Sequence, residues 1–176
     1  MSKESTIYTY RLLKRVHYKP IFFQVYWILT VCAFIGAAIA ISFWSVPTGL
    51  VGVPAGVIGI PLTQTLLLRL LLRTKVKHAP QAWIWSYRLP WFGYAPGTDA
   101  YIAMTKVRRL HFHVLWIVLV LLGCLYPWLP PSLLGFLVFV HFWILLPRLV
   151  IIFLLRKHTS SGYLKINEND SSCYAQ

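Results

Sequence analysis

The sequence is poor in acidic side chains. Four Asp and Glu residues stand against 17 Lys and Arg residues in a chain of 176, which gives a formal net charge of +13. Because general acid–base pairs, hydrolytic metal sites and phosphoryl transfer depend on carboxylates, enzymes of those kinds are disfavoured. The nucleotide-binding pattern GxxxxGK[ST] is also missing. We therefore predict no catalytic residues.

Cysteine and histidine patterns are equally sparse. The three cysteines, Cys32, Cys124 and Cys173, form no CxxC pair, which disfavours a disulfide framework, a zinc site and a thiol-oxidising enzyme. His111 and His113 are two residues apart and would point to opposite sides of a helix. We therefore predict no metal or cofactor, although a haem shared with another subunit stays open.

The excess of basic residues has two readings. Nucleic-acid binding is one, but no nucleic-acid motif accompanies the charge. The other is a membrane protein whose basic segments attract anionic lipid headgroups. We prefer the second reading and predict lipid contacts and no nucleic-acid partner.

Long apolar runs dominate what is present. Hydrophobic residues make up 58% of the chain and charged residues 12%, against about 45–50% and about 25% in soluble domains. This composition predicts an all-α integral membrane protein with four transmembrane helices arranged as two antiparallel hairpins. We divide the chain into a basic N-terminus (1–20), a first hairpin (21–72), an interfacial loop (73–110), a second hairpin (111–155) and a tail (156–176), which we expect to be mobile.

Small residues recur at helical spacing in the first hairpin. Such stripes allow close packing of helix backbones in lipid, so we predict that spans one and two pack through them. The stripe residues are Ala33, Gly36, Ala37 and Ala40 in span one, and Gly49, Gly52, Gly56 and Gly59 in span two. An alternative is open, because Pro47, Pro54 and Pro61 free backbone carbonyls: the segment 47–61 is then a broken or re-entrant element lining a cavity.

The loop 73–110 mixes aromatic and basic residues, which suits the headgroup layer. The predicted interfacial residues are Trp83, Trp85, Arg88, Trp91, Lys106, Arg108 and Arg109. Thr98 with Asp99 predicts a helix start that leads into span three. The segments 1–20, 73–110 and 156–176 hold fifteen basic residues, and the two short turns between spans hold none. The positive-inside rule therefore predicts cytoplasmic termini and a cytoplasmic central loop, in a plasma or bacterial inner membrane.

Three polar residues inside the apolar runs are the candidate functional residues: Arg148, His141 and Gln64. An intramembrane arginine is costly and is by default a functional candidate. For Arg148 we consider as partners the Trp143 carbonyl freed by Pro147, the side chains of Gln64 and Thr65, or an acid of another subunit. Snorkelling to lipid phosphate is the alternative. His141 suits an interhelical hydrogen bond.

The sequence constrains the function of the protein less than it constrains the arrangement of its helices. We expect a non-enzymatic subunit or scaffold of a larger membrane assembly, with other membrane proteins as partners. One alternative is a small transporter or channel, with the Gly/Pro segment of span two and Arg148 on its pathway. The other is a membrane-shaping hairpin protein.

Overall fold

A computed structural model describes residues 11–44, 46–75, 83–98, 100–158 and 162–175. The helices are α1 (Pro20–Trp44), α2 (Val46–Pro54), a π-helical turn (Ala55–Gly59), α3 (Ile60–Lys75), α4 (Met104–Cys124), α5 (Pro131–Leu154) and a 3-10 turn (Arg156–His158). The strands are β1 (Arg11–His17), β2 (Trp83–Ser86), β3 (Gly93–Pro96), β4 (Ile102–Ala103), β5 (Gly162–Ile166) and β6 (Asp170–Ala175).

Among the described residues, four helical segments are long and apolar enough to cross a membrane. They are Pro20–Phe43, Gly49–Thr74, Met104–Cys124 and Pro131–Leu154, of 24, 26, 21 and 24 residues. At 1.5 Å per residue even the shortest spans about 31 Å, close to the thickness of a bilayer core. The second of them joins α2, the π-helical turn and α3 into one helical path. The prediction of four such helices is confirmed, and the Gly/Pro segment is continuous rather than broken.

The glycines of α2 and the π-helical turn pack mainly against α5. A Cβ atom at Gly56 would lie 2.6 Å from Phe136 Cε1, and one at Gly52 would overlap Leu133. Gly49 alone faces α1, where a Cβ would overlap Ser42, whereas a Cβ at Gly36 or Gly59 would meet no atom within 4 Å. Apart from Gly49, the glycine contacts therefore do not support the predicted seam between spans one and two. The close approach is to α5, because the side chains of α5 fill the groove that the missing Cβ atoms leave.

Two small sheets accompany the helices, so the prediction of an all-α protein is wrong in this respect. The larger sheet is antiparallel with the order β1–β6–β5–β4, and β2 and β3 form a hairpin. The tail, predicted to be mobile, supplies β5 and β6. In β5, Leu164 and Ile166 are buried while Tyr163 and Lys165 are half-buried, the alternation of a strand with one covered face.

The strands lie together at one end of the helices, which we call the sheet end. β1 precedes α1, β4 precedes α4 and β5 follows α5, and these strands belong to one sheet. The β2–β3 hairpin joins them there, because Trp91 in the turn of the hairpin hydrogen-bonds to Ser171 of β6. The helix after Thr98 begins only at Met104, because Ile102 and Ala103 pair with β5 first. Asp99 lies outside the described residues.

Helix α1 stands at the edge of the bundle. Only 6% of the residues in its most apolar window are buried, against 33–39% in the other three helices. Polar and ring contacts to α5 hold it in place. The Tyr26 hydroxyl donates to the Trp143 carbonyl (2.7 Å), the two rings stack 5.3 Å apart, and Trp143 Nε1 donates to Thr30 Oγ1 (2.8 Å). These contacts fix α1 at a few points and leave most of its surface uncovered.

Candidate functional site

Two of the three predicted candidate residues meet in the middle of the bundle. Gln64 of α3 and His141 of α5 are both buried, with Gln64 Nε2 3.0 Å from His141 Nδ1. On the other side of the ring, His141 Nε2 lies 3.2 Å from the Leu115 carbonyl of α4. A carbonyl only accepts, so Nε2 carries the proton and Nδ1 accepts from the Gln64 amide. His141 therefore links three helices as a neutral imidazole.

Arg148 lies two helical turns further along the same face of α5, near the sheet end. Its side chain is buried, with 2% of the residue exposed. Nη1 donates to the Tyr94 carbonyl of β3 (3.3 Å) and faces His111 Nε2 of α4 (3.4 Å). The guanidinium thus lies under the β2–β3 hairpin, an arrangement that does not favour the snorkelling alternative.

The partners considered for Arg148 are engaged elsewhere. The Trp143 carbonyl accepts from Tyr26, Gln64 pairs with His141, and the Thr65 hydroxyl donates to the Pro61 carbonyl (2.8 Å). An acid of another subunit could not reach so buried a group without displacing the hairpin. Arg148 Nε finds no acceptor among the described residues. The contacts of Arg148 are therefore backbone and imidazole groups of its own chain.

His111 and Gly93 shape the pocket that holds this guanidinium. His111 Nδ1 donates to the Val107 carbonyl (2.8 Å), which leaves Nε2 as an acceptor facing Arg148. Gly93 has φ of +94°, and a Cβ there would lie 3.1 Å from Arg148 Nη2. A glycine fits both demands, because it adopts positive φ without strain and leaves room for the guanidinium.

A hydrogen-bonded network joins the hairpin to the four-stranded sheet. Trp91 Nε1 donates to Ser171 Oγ (2.9 Å) and lies 3.2 Å from the Tyr18 hydroxyl, which itself bonds to Ser171. Burial raises the pKa of Tyr18 to about 12, so its hydroxyl stays neutral near pH 7. Beside it, Asp170 accepts hydrogen bonds from Asn167 and Ser172 and pairs with Arg15 (3.3 Å). These contacts tie β1, the hairpin turn and the tail together.

The residues predicted to be interfacial fall into two groups. Trp83 and Trp91 are buried against His111, whereas Trp85, Lys106, Arg108 and Arg109 are exposed. Arg88 forms a surface ion pair with Glu168 (2.9 Å), both side chains being more than 70% exposed, and such pairs contribute little to stability. The aromatic loop is thus partly a structural cover over the bundle and partly an exposed basic surface.

A cavity of about 390 Å³ lies between α3 and the β2–β3 hairpin. It is lined by Arg69 and Arg73 of α3 and by Trp83, Trp85 and Tyr94 of the hairpin. The Arg69 guanidinium sits over the Tyr94 ring, 5.0 Å from its centroid. The Trp83 indole N–H is buried and has no acceptor among the described residues. The cavity is thus lined by two arginines and by a tryptophan whose buried indole N–H has no acceptor among the described residues.

Sequence reasoning identified Gln64, His141 and Arg148 but missed Tyr94 and assigned His111 no role. The signal for His111 was present, since it shares the spacing of the buried α4 residues Val107, Val114 and Val118. Tyr94 contributes a main-chain carbonyl, which no side-chain pattern reveals. Within the described part of the chain, no group of three or more His, Cys, Asp and Glu side chains is placed to hold a metal ion.

Comparisons with known proteins identify no relative. The chain matches no protein family, no curated protein and no solved structure.

Proposed function

We propose that this chain is a four-span integral membrane protein without catalytic activity, serving as a subunit or scaffold of a larger membrane assembly. The sheet end faces the cytoplasm, with both termini and the central segment on that side. Support for this orientation comes from the exposed basic residues of the sheet end, including Arg11, Lys106, Arg109 and Lys157, and from the positive-inside rule. The partners are other membrane proteins and anionic lipids.

One observation carries the subunit proposal, namely an exposed small-residue face of α1. Cys32, Gly36 and Ala40 are spaced by four residues and are all exposed. A Cβ atom at Gly36 would meet nothing within 4 Å. Small residues at this spacing let helix backbones approach closely in lipid, where packing drives association. A partner helix could use this face without any rearrangement of the chain.

The transporter alternative draws less support. Its pathway would run along the glycines of α2 and past Arg148, but Leu133, Phe136 and Leu137 fill the glycine face. Arg148 is covered by the β2–β3 hairpin. The alternative of a membrane-shaping hairpin protein is also weaker, because helices of 21 to 26 residues are long enough to cross both leaflets.

The test replaces Gly36 by leucine and measures the assembly by native mass spectrometry in mild detergent, after extraction from the source membranes. Gly36→Leu should remove the partner subunit while leaving the thermal stability of the isolated chain unchanged, since a Cβ atom at this position would meet nothing within 4 Å. Ile35→Leu, at a neighbouring position that is 55% exposed, is the matched control and should retain the partner. A wild-type chain without a protein partner, or a partner that tolerates Gly36→Leu, would contradict the proposal.

Orientation is tested separately by labelling single cysteines in intact cells. The background lacks Cys32, Cys124 and Cys173. A cysteine at Tyr87 (78% exposed), at the sheet end, should be shielded from a membrane-impermeant maleimide until the cells are opened. A cysteine at Trp128 (77% exposed), between α4 and α5, should react in intact cells. The reverse pattern would invert the orientation.

A further inference from the structure

We infer that the cavity between α3 and the β2–β3 hairpin binds the phosphate group of an anionic ligand. The ligand is a phosphate ester, supplied either by a phospholipid headgroup or by a soluble metabolite. The inference concerns the chemistry of one pocket and does not depend on the proposed role as a subunit. It rests on charge, on an unused donor, and on the size and position of the cavity.

Charge at the cavity is positive and is not neutralised within the described chain. Arg69 and Arg73 are one helical turn apart on α3 and both line the cavity, which has no carboxylate in its lining. Behind its wall, Arg148 donates to the main-chain carbonyl of Tyr94. The two described carboxylates form ion pairs elsewhere, Glu168 with Arg88 and Asp170 with Arg15. An anion is the complement that this environment lacks.

The Trp83 indole supplies the second, independent observation. Trp83 lines the cavity, is only 4% exposed, and its Nε1 donor has no acceptor among the described residues. A buried donor that forms no hydrogen bond costs the free energy of its lost hydration. We expect a phosphate oxygen that reaches this N–H through the Trp83 wall of the cavity to accept from it and restore the missing bond. Neutral apolar occupants would leave the donor without an acceptor and both guanidinium charges without an anion.

Arginine geometry favours phosphate over a simple halide. A guanidinium offers a planar fork that matches two phosphate oxygens. The ring of Tyr94 holds the Arg69 guanidinium in place by a cation–π contact at 5.0 Å. This contact orients Arg69 before a ligand arrives, which lowers the entropy lost on binding.

Size and position suit a phosphate that carries a further organic group. The volume of about 390 Å³ falls in the range of small-molecule pockets, about 300–1,000 Å³. The cavity lies beside the last turns of α3, and the exposed Trp85 at its rim belongs to the aromatic layer expected at headgroup level. A phospholipid headgroup could enter from the bilayer side, and a soluble ester from the cytoplasm.

The test uses the purified full-length chain in a neutral detergent. Thermal shift and native mass spectrometry are recorded with palmitoyl-oleoyl phosphatidylglycerol, with the corresponding phosphatidylcholine, and with glycerol 3-phosphate. Stabilisation and a retained adduct with phosphatidylglycerol alone would identify a lipid headgroup. Stabilisation by glycerol 3-phosphate as well would identify a soluble ester. No shift with either anion, or equal binding of phosphatidylcholine, would overturn the inference.

Variants then assign the binding to this cavity. The pair Arg69→Gln and Arg73→Gln should weaken binding by about tenfold or more, because each removes a charge-assisted hydrogen bond. Lys106→Gln with Arg109→Gln removes the same charge from exposed positions on α4 and should leave the affinity within about twofold. An equal loss in both pairs would show general attraction to the basic surface and would overturn the inference.

Milder variants keep the test valid if the double variant unfolds. Arg73→Gln alone leaves the contact between Arg69 and Tyr94 intact. Trp83→Phe removes the N–H but keeps an aromatic ring against His111. Each should weaken binding by several-fold. The melting temperature without ligand should stay within about 2 °C of wild type for Arg73→Gln and fall by a few degrees for Trp83→Phe, which leaves a void against His111. Unchanged affinity in both would overturn the inference.

Discussion

Helix α1 is packed against the rest of the protein much less extensively than the helices α3, α4 and α5 are packed against one another. The three inner helices bury apolar rows such as Val107, Val114 and Val118. At their centre His141 of α5 links them by hydrogen bonds to Gln64 of α3 and to the Leu115 carbonyl of α4. Helix α1 buries little and is held by Tyr26, Thr30 and Trp143. Glycines show the same division, because Gly56 is packed tightly against α5 whereas Gly36 faces open space. Small residues thus mark an internal seam in one region and an unused surface in the other.

We expect the largest loss of stability when a bulky side chain is placed in the contact between Gly56 and α5. In Gly56→Leu the new side chain would collide with Phe136 and Leu137, where even a Cβ lies 2.6 Å from Phe136 Cε1. Overpacking of this kind costs about 3 kcal/mol or more and should lower the melting temperature in detergent by about 5–10 °C. Gly36→Leu should leave it unchanged within about 2 °C. Equal losses at both positions would remove the distinction between seam and surface.

The next effect concerns the attachment of β1 and α1 to the sheet end through Tyr18. Its pKa is raised from 10.0 to about 12 by burial, so the folded state holds the phenolic proton more tightly than the unfolded state. The stability contribution is complete below pH 10 and is lost as pH rises from 10 to 12, by about 2 kcal/mol. Denaturation curves at pH 9 and pH 11.5 should therefore differ less for Tyr18→Phe than for wild type. Identical pH dependence would show that Tyr18 is not buried.

A smaller effect is expected at the centre of the inner helices. Gln64→Leu removes the donor to His141 Nδ1, and interhelical hydrogen bonds in membranes contribute about 0.6 kcal/mol on average and up to about 1.7. We expect a loss of about 1 kcal/mol in steric-trapping or denaturant measurements. A control variant is Thr63→Val, whose hydroxyl bonds only within its own helix, to Gly59. A larger loss at Thr63 than at Gln64 would contradict the assignment of Gln64 as a link between helices.

The smallest global effect should come from Arg148→Leu, because it removes a costly buried charge together with its hydrogen bonds. The local effect should be clear. Amide hydrogen exchange in β2 and β3 should become at least several-fold faster, since the Tyr94 carbonyl loses its contact with the bundle. Partner binding through α1 should persist, because Arg148 is 2% exposed. Loss of the partner would instead make Arg148 part of the interface.

The sequence singled out side chains whose type was unusual in their setting, and the structure buries them with hydrogen-bond partners. Gln64, His141 and Arg148 stand out in apolar runs, because polar groups in such helices must find partners. The hydrogen-bond partners of these side chains could not be predicted from the sequence in the same way. Leu115 and Tyr94 accept through main-chain carbonyls, which every residue has, so only the approach of the elements in space selects them.

The sequence by itself determined the four long apolar helices, because span length and hydrophobicity are local properties. It also determined the clustering of basic residues in the segments that the structure brings to the sheet end. Tertiary structure decided the pairing of β1 with β6, whose residues Arg11 and Ala175 meet from opposite ends of the described chain. It also decided which helix the glycines of α2 face. Strand pairing and helix packing depend on which distant surfaces meet. The periodicity of apolar and small residues along the chain does not specify which surface that is.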